Sequence, residues 1–401
     1  MRLHAFQGLR YDRPADQAGA LAAPPYDQID DRQRDRFHAQ SPHQFVHLSR
    51  PVAPDGTDPY AHAAALHRRW LDDGVVTREA RPALYPYVIE LAGGAGKRLG
   101  IAGLVELEDA RAIRPHEQTL DKPFADRLAL LEAMRVDIEP ILLLAEDGGR
   151  LDALLAEDLE GAEPLVAYQD ADGNRHLLYR IDDPARIARY REALAGPGAI
   201  ADGHHRYKVA QRYAERHGTA PGSAAAAKLA VVTSLDSPAL TIDPIHRALR
   251  APADLGPLAP LAASRASFHG GDGPAFAAAV AAAPQPALGF WVAGGEPEVW
   301  SFGGGERPAA VVVLRDDVLP ALGLPPEAET DGTVVYRANP AELWSQVSGG
   351  ELGTAIFLPP MRPAEFAAAI AEGEMLPPKS TRFLPKVMAG LIWADHDAAL
   401  G

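Results

Sequence analysis

The chain contains no cysteine. That excludes a disulfide framework, a thiolate zinc site and a cysteine nucleophile. No apolar run reaches the roughly 18–20 residues that a membrane-spanning helix needs. The first residues, Met1–Arg10, lack the apolar stretch of a secretory leader, so a cytoplasmic location is expected. Basic side chains are scarce: 39 Lys and Arg stand against 54 Asp and Glu, for a formal net charge of −15. A protein that wraps duplex nucleic acid needs a basic face to displace counterions, and this charge argues against one. Neither a nucleic-acid nor a membrane partner is expected.

The remainder is ordinary for a globular chain. Its 401 residues are 47% hydrophobic and 23% charged, enough to bury large cores and to form more than one domain. With 36 Gly and 36 Pro, elements should be short and loops plentiful. Asp31–Gln40 reads as a helix, and Asp58-Pro59 as an N-cap with proline at the first helical position, carrying Ala63, Leu66 and Trp70 inward. Leu84–Leu91 and Leu99–Leu107 read as a hairpin around Gly93-Gly-Ala-Gly96. Phe124–Met134 reads as a helix with Leu128 and Leu131 inward, and Ile138–Leu144 as a buried strand. A second hairpin joins Pro164–Tyr168 to His176–Ile181, and Asp183-Pro184 opens a helix to Leu194. Ala199–Ala201 leads into a helix over His204–His217, followed by a strand at Lys228–Leu235. Toward the C-terminus, strands are expected at Gly289–Val292, Val299–Phe302, Ala310–Leu314, Val334–Arg337 and Thr354–Leu358, and a helix at Pro363–Ala371. The fold class expected is α+β with mixed sheets.

Three segments concentrate chemistry. In Ile200-Ala-Asp-Gly-His-His-Arg206, a short strand runs into Asp202-Gly203 and then a helix. His204, His205 and Arg206 would occupy the first turn, where free amides and the dipole already attract anions. Cations there oppose the dipole, and a bound phosphate would relieve that conflict. Adjacent histidines on a helix point about 100° apart, which suits phosphate better than a shared metal ion. The plainer alternative is a helix start with solvated side chains. The second segment, Arg114-Pro-His-Glu-Gln-Thr119 with Asp126-Arg127, joins a carboxylate, an imidazole, a hydroxyl and guanidinium groups. Its alternative is a loop of surface ion pairs. The third, Leu376-Pro-Pro-Lys-Ser-Thr-Arg-Phe-Leu-Pro-Lys386, shares Lys-Ser-Thr with phosphate loops but lacks the preceding glycines, so it is not a Walker loop. Lys379 and Lys386 in an acidic chain still suggest an anion contact, against the alternative of a solvated loop. Tyr26-Asp27 either lines a pocket or ends a turn, and a structural role is expected for His246-Arg247.

At these segments the chain resembles the family of domain of unknown function 1015. The matching residues are Ala23-Pro-Pro-Tyr-Asp27, His116-Glu117 with Thr119 and Asp126-Arg127, Asp202-Gly-His-His-Arg206, His246-Arg247, and Pro377-Pro-Lys-Ser-Thr381 with Pro385-Lys386. The family often has aromatics where Arg382 and Leu384 stand here. The order Pro115-His116-Glu117, helix, apolar strand, Asp-Gly-His-His-Arg also resembles the ParB/sulfiredoxin superfamily, most of all its free-serine kinases.

That resemblance implies a ParB/sulfiredoxin-like catalytic core over 111–250 with an insertion at 146–198. An α+β segment at 1–110 would precede it, and an α/β segment at 251–401 would bring the Lys-Ser-Thr loop. The implied activity is phosphoryl transfer from ATP or ADP to the hydroxyl of L-serine or a similar hydroxy amino acid. Glu117 would be the base. Asp202 and His205 would complete the catalytic set, and Asp202 would hold Mg²⁺ or orient the imidazole. Phosphate and nucleotide contacts would come from Gly203, His204, Arg206, His116, Thr119 and Arg127. Arg114, Lys379, Ser380, Thr381, Tyr26 and Asp27 would bind substrate. A phosphohydrolase or nucleotidase with water as acceptor and a non-catalytic nucleotide sensor are the alternatives. Sulfiredoxin chemistry needs a cysteine that this chain lacks.

Overall fold

Capping residues set many boundaries. Asp58 accepts hydrogen bonds from the amides of Tyr60 and Ala61 and starts the helix Pro59–Asp72; Asp183 accepts from Arg186 and starts Pro184–Ala193. The computed structural model describes residues 1–107, 112–117, 122–218, 222–303, 309–373, 375–398 and 400–401. The chain forms two compact units: Met1–Pro115 with Thr119–Leu240 and Pro385–Gly401, and residues 116–118 with Thr241–Leu384.

The first unit is built on a mixed sheet of nine strands. They are β1 (Leu3–His4), β2 (Tyr85–Glu90), β3 (Lys97–Glu106), β4 (Ile113–Arg114), β5 (Ile141–Ala145), β6 (Val166–Gln169), β7 (Arg175–Leu178), β8 (Gly198–Asp202) and β9 (Ala227–Ser234). The order is β4-β8-β5-β9-β3-β2-β7-β6, with β1 also paired to β3. β9 is buried throughout; it runs parallel to β5 and antiparallel to β3. β5 is wholly buried, as its unbroken apolar run requires. Ile101, Ile141, Leu143, Ile200, Val232, Tyr190 and Tyr207 share one core. Helices α1 (Lys122–Met134) and α2 (His204–His217) pack together in this unit.

The second unit holds a six-stranded sheet of β10 (His246–Leu249), β11 (Ser264–Ser267), β12 (Ala287–Val292), β13 (Glu298–Ser301), β14 (Val334–Arg337) and β15 (Thr354–Phe357), in the order β11-β13-β12-β15-β10-β14. All its pairings are antiparallel. Helices α3 (Gly273–Ala282) and α4 (Pro340–Ser348) bring Phe276, Val280, Leu343 and Val347 onto Ala248 and Phe357. Helix α5 spans Pro363–Glu372.

The α+β class with mixed sheets is thus observed. Two local expectations are corrected. Ala310–Leu314 is helical, Ala310–Val313 continuing into a π-helical turn at Leu314–Val318. Its β-branched run favours a strand, but all five side chains are buried, and burial on every side suits a core helix equally. Among the residues of α1 whose burial is described, Arg127, Leu130 and Met134 are buried, whereas Leu128 and Leu131 are only partly covered. Among the described residues no helix is long and apolar enough to cross a membrane.

Candidate functional site

In the first unit, β8 shifts register against β5 between Ile200 and Asp202, a bulge that re-aims the end of the strand. Gly203 then turns the chain into α2 with φ +92°. A Cβ there would lie 2.7 Å from Cγ2 of Ile141 and 3.1 Å from Nε of Arg206, so both conformation and space demand glycine. The first turn of α2 is His204, His205 and Arg206, with no acidic residue and no side-chain cap. The helix therefore presents its positive end together with the Arg206 guanidinium.

Asp202 faces two cations. Its Oδ2 lies 2.9 Å from Nη2 of Arg206, and its Oδ1 lies 2.7 Å from Nζ of Lys386. Burial pushes the carboxyl up, but Lys386 and Arg206 together bring it below the ordinary carboxylate value. Arg206 is buried and also donates to the carbonyl of Pro140. Burial disfavours its charge, yet Asp202, Asp27 and Glu139 hold the guanidinium above its usual value.

Tyr26 and Glu139 extend the cluster. The amide of Tyr26 donates to Oε1 of Glu139 at 3.1 Å, and the guanidinium of Arg127 lies 4.2 Å from the centre of the Tyr26 ring. Burial, with Asp27 adding, pushes the Tyr26 phenol up to about 12 against the pull of Arg127. Burial also raises the Glu139 carboxyl, while Arg206 and Arg127 oppose it. Behind Glu139, buried Lys228 donates to the Glu139 carbonyl at 2.7 Å and pairs with Asp137. Burial lowers its ammonium, and Asp137 opposes that shift. Tyr26, Asp27, Arg50, Tyr60, Asp126 and Arg127 line an adjoining groove.

The second unit gathers the other two segments. Nε2 of His116 lies 2.8 Å from Oγ1 of Thr381, and the amide of Lys379 donates to Oε1 of Glu117 at 2.9 Å. The amide of Leu376 donates to the carbonyl of His116. Lys379 has φ +56°, a left-handed conformation that an L side chain rarely adopts. Arg247, fully buried, holds this loop through the carbonyls of Pro378 at 3.0 Å and Lys379 at 3.2 Å. Arg247 and Lys379 both lie over the ring of Tyr336. The structural role expected of Arg247 is met by these bonds.

The expected residues sort by unit. Tyr26, Asp27, Arg127, Asp202, Gly203, His204, His205 and Arg206 belong to the first, in or beside the cluster just described. Arg114 lies on β4 of that unit, where it forms a partly exposed pair with Glu146 at 3.4 Å. His116, Glu117, Lys379, Ser380 and Thr381 come together in the second. His116 is fully buried against Phe366 and Phe383, so it supports the loop and does not present a phosphate contact. Ser380 is buried with its hydroxyl on the carbonyl of Pro377, so it closes its own turn. Thr119 lies outside the described residues. Each carboxylate oxygen of Asp202 already contacts a cation in this structure, Arg206 on one and Lys386 on the other. Among the described residues no cluster of three His, Asp or Glu is placed to hold a metal ion. Glu139 and Lys228 went unsuspected; each is a charged residue embedded in an apolar strand sequence, which was the available signal.

The chain belongs to the family described as "Protein of unknown function (DUF1015)", which it matches over residues 3–318. A comparison with the curated proteins finds no match. Among solved structures, it is similar to a conserved hypothetical protein from Pyrococcus furiosus at 14% identity and TM-score 0.36, covering 71% of this chain and 90% of that one. It is similar to a free serine kinase in complex with AMP at 15% identity and TM-score 0.37, covering 71% of this chain and 87% of that one. SbnI with a C-terminal truncation, from Staphylococcus aureus, matches at 12% identity and TM-score 0.36, covering 72% and 85%. Likenesses this distant carry no argument about chemistry.

Proposed function

We propose that the protein is a cytoplasmic phosphotransferase that moves a phosphoryl group from ATP or ADP to the hydroxyl of a small acceptor, with free L-serine or a similar hydroxy amino acid as substrate. The observation that carries the reading is the junction of β8 and α2. A left-handed glycine starts a helix whose first turn is cationic and lacks an acidic residue, beside a carboxylate already matched by Lys386 and Arg206. Such an end is suited to phosphate oxygens through backbone amides, dipole and cations acting together.

In this reading His204, His205 and Arg206 bind and polarise the transferred phosphate, and Asp202 orients Lys386 and Arg206. Tyr26, Asp27 and Arg127 contribute the acceptor groove. On the second unit, Glu117 is the base that takes the hydroxyl proton, held by the Lys379 amide. His116 and Thr381 position that loop. Any Mg²⁺ enters as part of the nucleotide substrate. The ParB/sulfiredoxin-like core over 111–250 is part of the same proposal.

The test is phosphorus NMR of ATP, ADP and CTP incubated with a panel of amino acids and hydroxy acids. Nucleotide consumption that requires a hydroxy amino acid supports the kinase. Equal consumption without an acceptor identifies a hydrolase, and tight binding without turnover identifies a sensor.

A further inference from the structure

One buried polar chain in the first unit has no part in the chemistry above. β2 and β7 are antiparallel neighbours, with Leu178 opposite Tyr87 and His176 opposite Ile89. The hydroxyl of Tyr87 lies 2.5 Å from Nδ1 of His176, and Nε2 of His176 lies 3.0 Å from Oδ2 of Asp170. Both rings are buried. Asp170 is fixed by the turn that follows it, accepting from the amides of Asp172 at 3.0 Å and Asn174 at 2.8 Å and from Nδ2 of Asn174 at 2.9 Å.

These contacts set every proton. An ionised carboxylate only accepts, so Nε2 of His176 carries the hydrogen and Nδ1 is the acceptor. Tyr87 therefore donates to Nδ1, which leaves its oxygen free to accept. It does so from the backbone amide of Met388 at 3.2 Å. Burial keeps the imidazole below its ordinary value, against Asp170, and keeps the phenol above its own, so both rings stay neutral around physiological pH beside the ionised carboxylate. On the next strand Arg98 sits opposite Ile89, is buried, and donates through Nη2 to the carbonyl of Pro385 at 2.6 Å.

The segment from Pro385 to Met388 is thus held at both ends by side chains of three adjacent strands. Lys386 lies between the two anchors, 2.7 Å from Asp202. A lysine side chain has four soft torsions, so where its ammonium rests depends on how firmly its backbone is held. We propose that Tyr87, His176, Asp170 and Arg98 are positioning residues that hold Pro385–Met388 so that Lys386 stays on Asp202 at the phosphate site. Only the role of Lys386 toward phosphate rests on the function proposed above.

The experiment compares wild-type protein with Tyr87→Phe and with Asp170→Asn, the latter at a hairpin turn. Acylation of Lys386 by a succinimidyl ester is read by peptide mass spectrometry against Lys97, which is 62% exposed. ADP affinity is read by calorimetry. The expected result is Lys386 labelling faster by about five- to tenfold and ADP binding weaker by a similar factor, the equivalent of one net hydrogen bond. Adding Tyr87→Phe to Lys386→Met should then bring no further loss of ADP affinity, because the first residue acts only through the second. Unchanged Lys386 labelling in either folded variant overturns the proposal, as does full additivity in the double variant. Faster labelling with ADP affinity unmoved in every variant, Lys386→Met included, keeps the positioning role and overturns the phosphate reading instead.

Discussion

The ammonium of Lys386 lies 2.7 Å from the carboxylate of Asp202, although 184 positions separate them in the chain. Arg206 meets the other oxygen of the same carboxylate from four residues along the chain, in the first turn of α2. One acidic group thereby holds two cations side by side at a helix N-terminus, the arrangement that a dianionic phosphate would exploit.

Lys386→Met should weaken ADP binding about 10- to 100-fold, since a hydrogen bond to a charged group is worth about 1.5–3 kcal/mol. It should also shift the acid titration. The Asp202 carboxyl is depressed in the folded state, so the stability it lends is present above its unfolded value and is lost as pH falls through the folded one. Without Lys386 the folded carboxyl rises toward its unfolded value, so this acid-dependent part of the stability should shrink. Calorimetry and melting curves between pH 3 and pH 7 read the two effects separately.

Glu117→Gln should separate chemistry from binding. Glutamine keeps an acceptor for the Lys379 amide but cannot take a proton, so turnover should fall by about 10²–10⁴ with nucleotide affinity nearly intact. His205→Ala should lower affinity and rate together, because a phosphate contact acts in ground and transition states alike. Steady-state kinetics with a direct binding assay decide the matter. Retained turnover with lost binding in Glu117→Gln would mean that the two segments have exchanged roles.

Gly203→Ala introduces a Cβ 2.7 Å from Ile141 at a residue with φ +92°. Left-handed backbone costs an ordinary residue about 1–2 kcal/mol, and the close contact adds to it. A lower denaturation midpoint is expected, with a larger relative loss of ADP affinity as the first helical amides turn away. Gly74→Ala, also at positive φ but with open space around the added carbon, should show the backbone cost alone.

Acid should destabilise both units through buried neutral histidines. Burial lowers His67 in the first unit and His246 in the second to about 4. The Nε2 atom of His67 accepts from Trp393 at 3.1 Å, and Nδ1 of His246 accepts from the amide of Leu358 at 3.1 Å, so neither can protonate without losing a bond. The unfolded chain binds these protons first, so stability falls as pH drops from 6.5 toward 4. Each residue contributes up to about 3 kcal/mol of that loss. Urea midpoints across this range should flatten in a His67→Gln variant that still folds.

Locally encoded features were legible. Asp58-Pro59 and Asp183-Pro184 mark helix starts because the capping carboxylate and the fixed proline torsion act within one turn. Asp202-Gly203 was legible for the same reason, as were the hairpins flanking Gly93–Gly96 and Asp170–Asn174. What stayed hidden depends on remote partners. Nothing near His116 signals that Thr381, 265 positions away, will take its ring nitrogen. Nor does Ser380 announce that its hydroxyl turns back onto Pro377. Glu139 reads as an interruption in an apolar run until Tyr26 and Arg206 are placed around it. The Ala310–Leu314 run misleads because β propensity measures fit to a half-buried pleated surface, and these residues are buried all round.

The first unit takes its last segment, Pro385–Gly401, from beyond the whole of Thr241–Leu384. Trp393, fully buried, completes its aromatic core beside Tyr11, Phe45 and His67. During synthesis the ribosome therefore finishes the larger part of this unit long before it supplies that tryptophan. Until then the nascent chain must carry an open apolar cleft and an Asp202 without its lysine, while the second unit is being made. Premature termination between Leu240 and Pro385 would release a chain whose first unit lacks its closing piece, a substrate for chaperones and proteases rather than a shorter working protein.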